Sequence, residues 1–278
     1  MRTTATRPYA LQNVLLVVEW GGSPVNLIHW TLALAEPSTR VSVMCVLDSS
    51  RAAPARVARG PSHQVDVKWR PGRNRLVEET CAQLRAGGLQ ANPIYRDGEQ
   101  EEAVLWAAEA SHADLVIVTA AFADRFHGKP LTRIKHGART SFLFARSSRQ
   151  RGPILLADDF TAASRQARLL ASVVAQKLDV PLRITSEPSE ARNEPVVAVS
   201  TRPPPGAAVL RSELMGTQTP TVAVADEILR QAEAQQAQLI VVGNSHRGSV
   251  RRFLFGSVSD DVASNARTSV LVATPDAG

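Results

Sequence analysis

The residues best placed to do chemistry lie between Leu239 and Ala273. An apolar run, Leu239–Val242, empties into Gly243, Asn244, Ser245, His246, Arg247 and Gly248. A basic, partly apolar stretch follows. Gly256, Ser257 and Val258 then open a helical segment, and Ser269–Ala273 reads as a second buried strand. Glycines placed where a parallel strand empties into a loop let backbone amides approach a phosphate closely. A helix starting at Gly256-Ser257 would add its positive end. The same glycines serve equally well as plain strand-to-helix turns, so spacing alone leaves both readings standing.

Other reactive groups lead to weaker chemistry. Asp158-Asp159 follows an apolar run and resembles the acidic pair that holds Mg²⁺ in phosphoacceptor receivers. That chemistry also needs a third aspartate after a central strand and a lysine after the last one. Here the central strand ends at Gly243 and the last runs into Thr274-Pro275. Gly128-Lys129 lacks the upstream glycine and the following Ser/Thr of a phosphate-binding P-loop. No G-x-S-x-G, H-E-x-x-H or G-x-G-x-x-G pattern occurs. The six histidines (His29, His63, His112, His127, His136, His246) show no metal-ligand spacing. Asp260 and Asp261 read as a solvated helix face. These patterns predict no catalytic residue and no metal site, and they speak against an enzyme.

The elements that must hold the glycine segment occur twice. Val14–Val18 ends in Glu19, and Ile154–Ala157 ends in Asp158-Asp159; such continuous apolar runs suit strands buried on both faces. Helical patterns follow near Asn26–Ala35 and Ala163–Lys177, then strands at Val41–Leu47 and Leu182–Thr185. Further on, Ala113–Val118 matches Ala237–Val242, and Gly137–Ala145 matches Asn265–Ala273 through a shared Ala-Arg-Thr-Ser. In the first half a helix is expected over Arg73–Leu89, closed by Gly87-Gly88, with a short strand at Pro93–Arg96. In the second half a helix is expected over Ala207–Met215, and Pro195–Ser200 fits either a strand or a loop. Alternating strands and helices argue for two doubly wound sheets, with a boundary near Ser147–Gly152.

The 278 residues carry a formal net charge of +6. Residues 1–150 hold 19 Lys+Arg against 13 Asp+Glu and residues 151–278 hold 13 against 13, so the whole excess sits in the first half. Much of it lies between Arg51 and Arg75, where Trp69 is the only aromatic and no helix-turn-helix or RNA-binding signature appears. This reads as a solvated basic loop rather than a specific nucleic-acid surface. Cys45 and Cys81 belong to no C-x-x-C pattern and read as reduced core residues of a cytoplasmic protein. Val14–Val18 is too short for a membrane span.

A tandem of doubly wound units with this glycine pattern resembles the universal stress protein family. Nucleotide-binding members carry G-x-x-G, nine residues, then G-[ST]. Gly243 takes the first place here, and Gly256-Ser257 stand at the matching distance. The family's strand-one aspartate, which contacts the adenosine moiety, corresponds to Asp159. His246 replaces the second glycine, with Gly248 two residues on. Its imidazole crowds the phosphates, or donates to one with Arg247, Arg251 or Arg252 adding charge, or is an exposed loop residue without a role.

The resemblance implies two tandem doubly wound α/β domains (Rossmann-like, adenine nucleotide alpha hydrolase-like), 1–149 and 150–278, each with a five-stranded, mainly parallel sheet. It implies ATP, AMP or ADP with Mg²⁺, held by Asp159, Gly243, Asn244, Ser245, His246, Gly248, Gly256, Ser257 and Val258. A regulatory role in stress response and a homodimer are implied too, with Ser141–Ala145 and Ser269–Ala273 as pairing strands. The first half departs from the pattern. Thr119-Ala120-Ala121 has no glycine, its loop to Gly128 is four residues shorter than that from Gly243 to Gly256, Lys129 replaces the serine, and Glu19-Trp20 replaces the aspartate and a small residue. A degenerate, structural copy is expected there. The alternative is a tandem scaffold that binds no nucleotide and works through an unknown protein partner; His246 favours it.

Overall fold

Apolar runs with no polar alternation become strands covered on both faces. The computed structural model describes residues 11–46, 63–96, 100–122, 140–146, 151–160, 164–186, 208–211, 221–243 and 257–274. The chain divides into two units, residues 1–145 and 146–278. In the first unit the order is β1 (Asn13–Glu19), α1 (Val25–Leu34), β2 (Arg40–Val46), α2 (His63–Ala86), β3 (Gln90–Ile94), α3 (Gln100–Ala110), β4 (Leu115–Thr119) and β5 (Ser141–Ala145). The second unit holds β6 (Ile154–Ala157), α4 (Arg165–Leu178), β7 (Leu182–Ser186), β8 (Ala208–Arg211), α5 (Thr221–Ala234), β9 (Leu239–Gly243), α6 (Ser257–Asn265) and β10 (Ser269–Ala273).

The strands run β3-β2-β1-β4-β5 in the first unit and β8-β7-β6-β9-β10 in the second, and the pairings that join them are parallel. Each unit is therefore an α/β fold on a parallel sheet. The direction of strand succession reverses between β1 and β4, and again between β6 and β9. In open parallel sheets, the crevice at the carboxyl ends of such a pair is where ligands bind.

The duplication reaches single residues. Non-glycine residues with left-handed backbone turn the chain into β4 and into β9, at His112 (φ 49°) and Gln236 (φ 52°). The Thr140 hydroxyl donates to the Ala113 carbonyl at 2.8 Å, and the equivalent Thr268 hydroxyl donates one place further along, to the Gln238 carbonyl, at 2.7 Å. Asp114 accepts the backbone N–H groups of Gln12 and Asn13, both at 2.8 Å. The equivalent of Asn13 is Pro153, which has no N–H to give. The equivalent of Asp114 is Gln238, whose amide instead donates to the Gly152 carbonyl at 2.7 Å. Donor and acceptor exchange sides, and the strand entry stays tied down.

Three expectations change. Residues 208–211 form β8 rather than a helix: Val209 and Leu210 extend the sheet by pairing with β7, from Arg183↔Ala208 to Ser186↔Arg211. The open edge of β7 outweighs the local helix signal of a proline followed by alanines. Helix α2 begins at His63, ten residues before Arg73, and runs through Pro71. It ends as expected, with Gly88 at φ +88°. The supposed basic loop is thus helix from His63 onward, and Arg73 is buried; residues 51–62 and Pro195–Ser200 lie outside the described residues. The strand near Pro93 starts earlier, at Gln90, in register with Arg40.

Candidate functional site

Register brings the two sequence-predicted anchors together. Leu156 pairs with Val241 and Ala157 with Val242, so the chain leaves β6 at Asp158-Asp159 beside the place where β9 ends in Gly243. The two aspartates then part ways. Asp158 is only 3% exposed. Its Oδ1 accepts from the Phe160 N–H at 2.8 Å, from the Ser164 hydroxyl at 2.6 Å and from Arg168 Nη1 at 2.8 Å; the same Nη1 reaches Oδ2 at 3.1 Å. Arg168 also donates to the Ser164 hydroxyl at 3.0 Å. Ser164 and Arg168 stand one helical turn apart at the start of α4, so a single helix end supplies both donors. A buried carboxylate satisfied in this way fixes the turn between β6 and α4.

With Asp158 committed inward, Asp159 is exposed at the strand end. Phe160 follows with a left-handed backbone (φ 56°) and 60% of its surface exposed. Sequence reasoning took Asp158 only as half of an acidic pair and missed Phe160, Ser164 and Arg168. The signal present was the Ser/Arg pair at i,i+4 after an acidic doublet, which can tie down only one of the two carboxylates.

The other predicted binding residues divide between described and undescribed segments. Gly243 is half-buried and pairs with Ala273 of β10. Ser257 is the first residue of α6, and Val258, half-buried, is the second. Asn244, Ser245, His246, Gly248 and Gly256 lie outside the described residues. Helix α6 packs on β10 and α5. Its last turn is capped by Arg146, whose Nη2 donates to the carbonyls of Ala263 at 2.6 Å and Ser264 at 3.3 Å, and whose Nη1 donates to Thr268 at 3.4 Å. The backbone N–H of Arg146 reaches the Ser269 hydroxyl at 3.0 Å. A cation at the carbonyl end of a helix is stabilising.

Asp260 corrects a further expectation, because it does not sit on a solvated face. Half-buried in the first turn of α6, it is pushed up from 3.8 to about 7 by burial first and by the neighbouring Asp261 carboxylate second. Burial outweighs the favourable field of the helix start.

The equivalent position in the first unit is closed by its own side chains. By register, Glu19 corresponds to Asp159 and Thr119 to Gly243. Glu19 is buried and accepts a hydrogen bond from the Thr119 hydroxyl at 2.7 Å, across the ends of β1 and β4. The Trp20 ring lies so close to α2 that a Cβ at Gly72 would come within 2.2 Å of it. Cys45 stands nearby; burial pushes its thiol up to about 12, with Arg73 opposing and Glu19 adding to the effect. Among the described residues, no group of three His, Cys, Asp or Glu side chains could hold a metal ion. No helix among them is long and apolar enough to cross a membrane.

Residues 217–274 match the universal stress protein family, covering α5, β9, α6 and β10. The whole chain has the fold of a universal stress protein from Archaeoglobus fulgidus DSM 4304, at 17% identity and a TM-score of 0.64, covering 94% of this chain and 96% of that one. It is also similar to a functionally unknown protein from Pseudomonas aeruginosa PAO1 (16% identity, TM-score 0.59, coverage 96% and 94%). A third likeness is to the cytoplasmic domain of a prokaryotic cation chloride cotransporter (10% identity, TM-score 0.56, coverage 96% of each). No curated protein matches the sequence.

Proposed function

We propose, from the match of residues 217–274 in the second unit to the universal stress protein family, that this chain binds ATP or a related adenine nucleotide there and acts as a stress-linked regulatory module rather than a catalyst. The observation that carries the reading is the exposed Asp159 beside Gly243, where the strand order reverses. Asp159 would accept from a ribose hydroxyl or the adenine amine. Backbone amides of Gly243, Asn244, Ser245, His246 and Gly248, with those of Gly256, Ser257 and Val258 at the start of α6, would hold the phosphates. Mg²⁺ would enter with the nucleotide as its counter-ion. The cytoplasm is the compartment we infer, from two cysteines that are free and buried.

Calorimetry with ATP tests this. The wild-type chain should release binding heat, whereas Gly256→Glu and Asp159→Ala should each weaken binding at least tenfold (about 1.4 kcal/mol). No heat at millimolar ATP would remove the proposal. A scaffold that binds no nucleotide and acts by protein contacts is the second reading. It rests on His246, a side chain standing where the phosphate loop calls for a second glycine, and the same calorimetry separates the two.

A further inference from the structure

We propose that Phe160 is the platform on which the base of the bound nucleotide stacks, so that the second unit selects its ligand by the face of a planar heteroaromatic ring. The inference rests on the nucleotide reading above and adds to it the part of the ligand that the strand ends and glycines leave unaddressed.

Three observations converge on this residue. Its backbone is left-handed (φ 56°), a conformation that bulky residues adopt only when their surroundings impose it. The imposing group is visible: the Phe160 N–H is held at 2.8 Å by Asp158, a carboxylate itself locked by Ser164 and Arg168. Phe160 is 60% exposed, whereas Ile154, Leu155 and Leu156 of neighbouring β6 are buried. A large aromatic group has been held out of the core at a fixed point, next to Asp159 and at the reversal of strand order. Such a group suits stacking, because every base presents a π-face, and a rigid ring loses little freedom when one settles on it.

The arrangement predicts a pattern of preference. Asp159, one residue earlier, supplies a polar anchor; the ring supplies area. Purine nucleotides should therefore bind more tightly than pyrimidine ones, with ATP and GTP closer to each other than either is to CTP.

The test uses the full chain and calorimetry with ATP, GTP, CTP and inorganic tripolyphosphate, on wild type, Phe160→Ala and Phe160→Trp. Phe160→Ala should weaken ATP about tenfold or more, the loss of one base–aromatic stack, and leave tripolyphosphate affinity unchanged. Phe160→Trp should keep ATP affinity, and its indole fluorescence should be quenched by ATP and not by tripolyphosphate. ATP affinity that is the same in wild type and Phe160→Ala would overturn the stacking role while leaving the nucleotide site intact. Equal losses of ATP and tripolyphosphate would also overturn it, by showing that the ring only supports the loop. A wild-type chain that binds neither ATP nor GTP would sink the nucleotide reading and this inference with it.

Discussion

At the scale of single residues, ionisable groups are sorted by how many donors the backbone brings to them. Asp158 has three donor groups within 3 Å and is removed from water. Asp158→Asn should lower unfolding free energy by about 2–3 kcal/mol, since Arg168 loses its charged partner and the turn loses its lock; urea melts measure it. Asp260 is governed by burial instead. Because its folded-state value is raised to about 7, the folded chain holds this proton more tightly than the unfolded one. That contribution is complete below about pH 4 and is lost as pH rises through 7. Asp260→Asn should therefore raise stability at pH 7.5 by about 1–2 kcal/mol and leave it nearly unchanged at pH 3.5, as read from thermal melts at both values. The two thiols, raised by burial to about 12 at Cys45 and about 11 at Cys81, should resist an aromatic disulfide reagent at pH 8 until the chain is denatured.

Elements are positioned by a few tight contacts that leave no room for substitution. A Cβ at Gly152 would lie 1.9 Å from the Gln236 carbonyl oxygen, a backbone atom of the turn into β9. Gly152→Ala should accordingly destabilise the second unit by about 2 kcal/mol or more, seen as a lower midpoint in urea. Most elements were legible in the sequence, for a physical reason. Ile154–Ala157, Leu239–Val242 and Ser269–Ala273 are uninterrupted apolar runs that fit only a doubly covered strand, and the repeated Ala-Arg-Thr-Ser betrayed the second copy. Ala208–Arg211 was not legible, because four residues with no alternation carry no period and an empty sheet edge decided their state. The start of α2 was not legible either: a stretch expected as a basic loop is helix from His63 onward. Of the site, the positions of Asp159 and Gly243 could be read from spacing. The inward turn of Asp158 and the outward turn of Phe160 could not, since both depend on where Arg168 reaches after α4 has docked on its sheet.

For the whole molecule, duplication has produced two units of one topology whose strand ends carry different side chains. Glu19 and Thr119 bond to each other at the positions that Asp159 and Gly243 take in the second unit. Nucleotide should therefore bind with a stoichiometry of one per chain, and Glu19→Ala should leave that number unchanged in calorimetry. Ligation should also stabilise the chain by about 2.7 kcal/mol at a hundredfold excess over Kd, visible as a rise in melting temperature that is absent in Asp159→Ala. Arg146 has a practical bearing on how the halves can be separated. Its guanidinium closes the last turn of α6, and its backbone is tied to Ser269, so the second half has a stake in a residue just upstream of the polar stretch that looks like a natural cutting point. A gene fragment begun at residue 150 would encode a helix with its carbonyl end uncapped, whereas one begun before Arg146 would carry its own clasp. A fragment of residues 150–278 should accordingly melt at a lower temperature than one of residues 146–278, as read by circular dichroism.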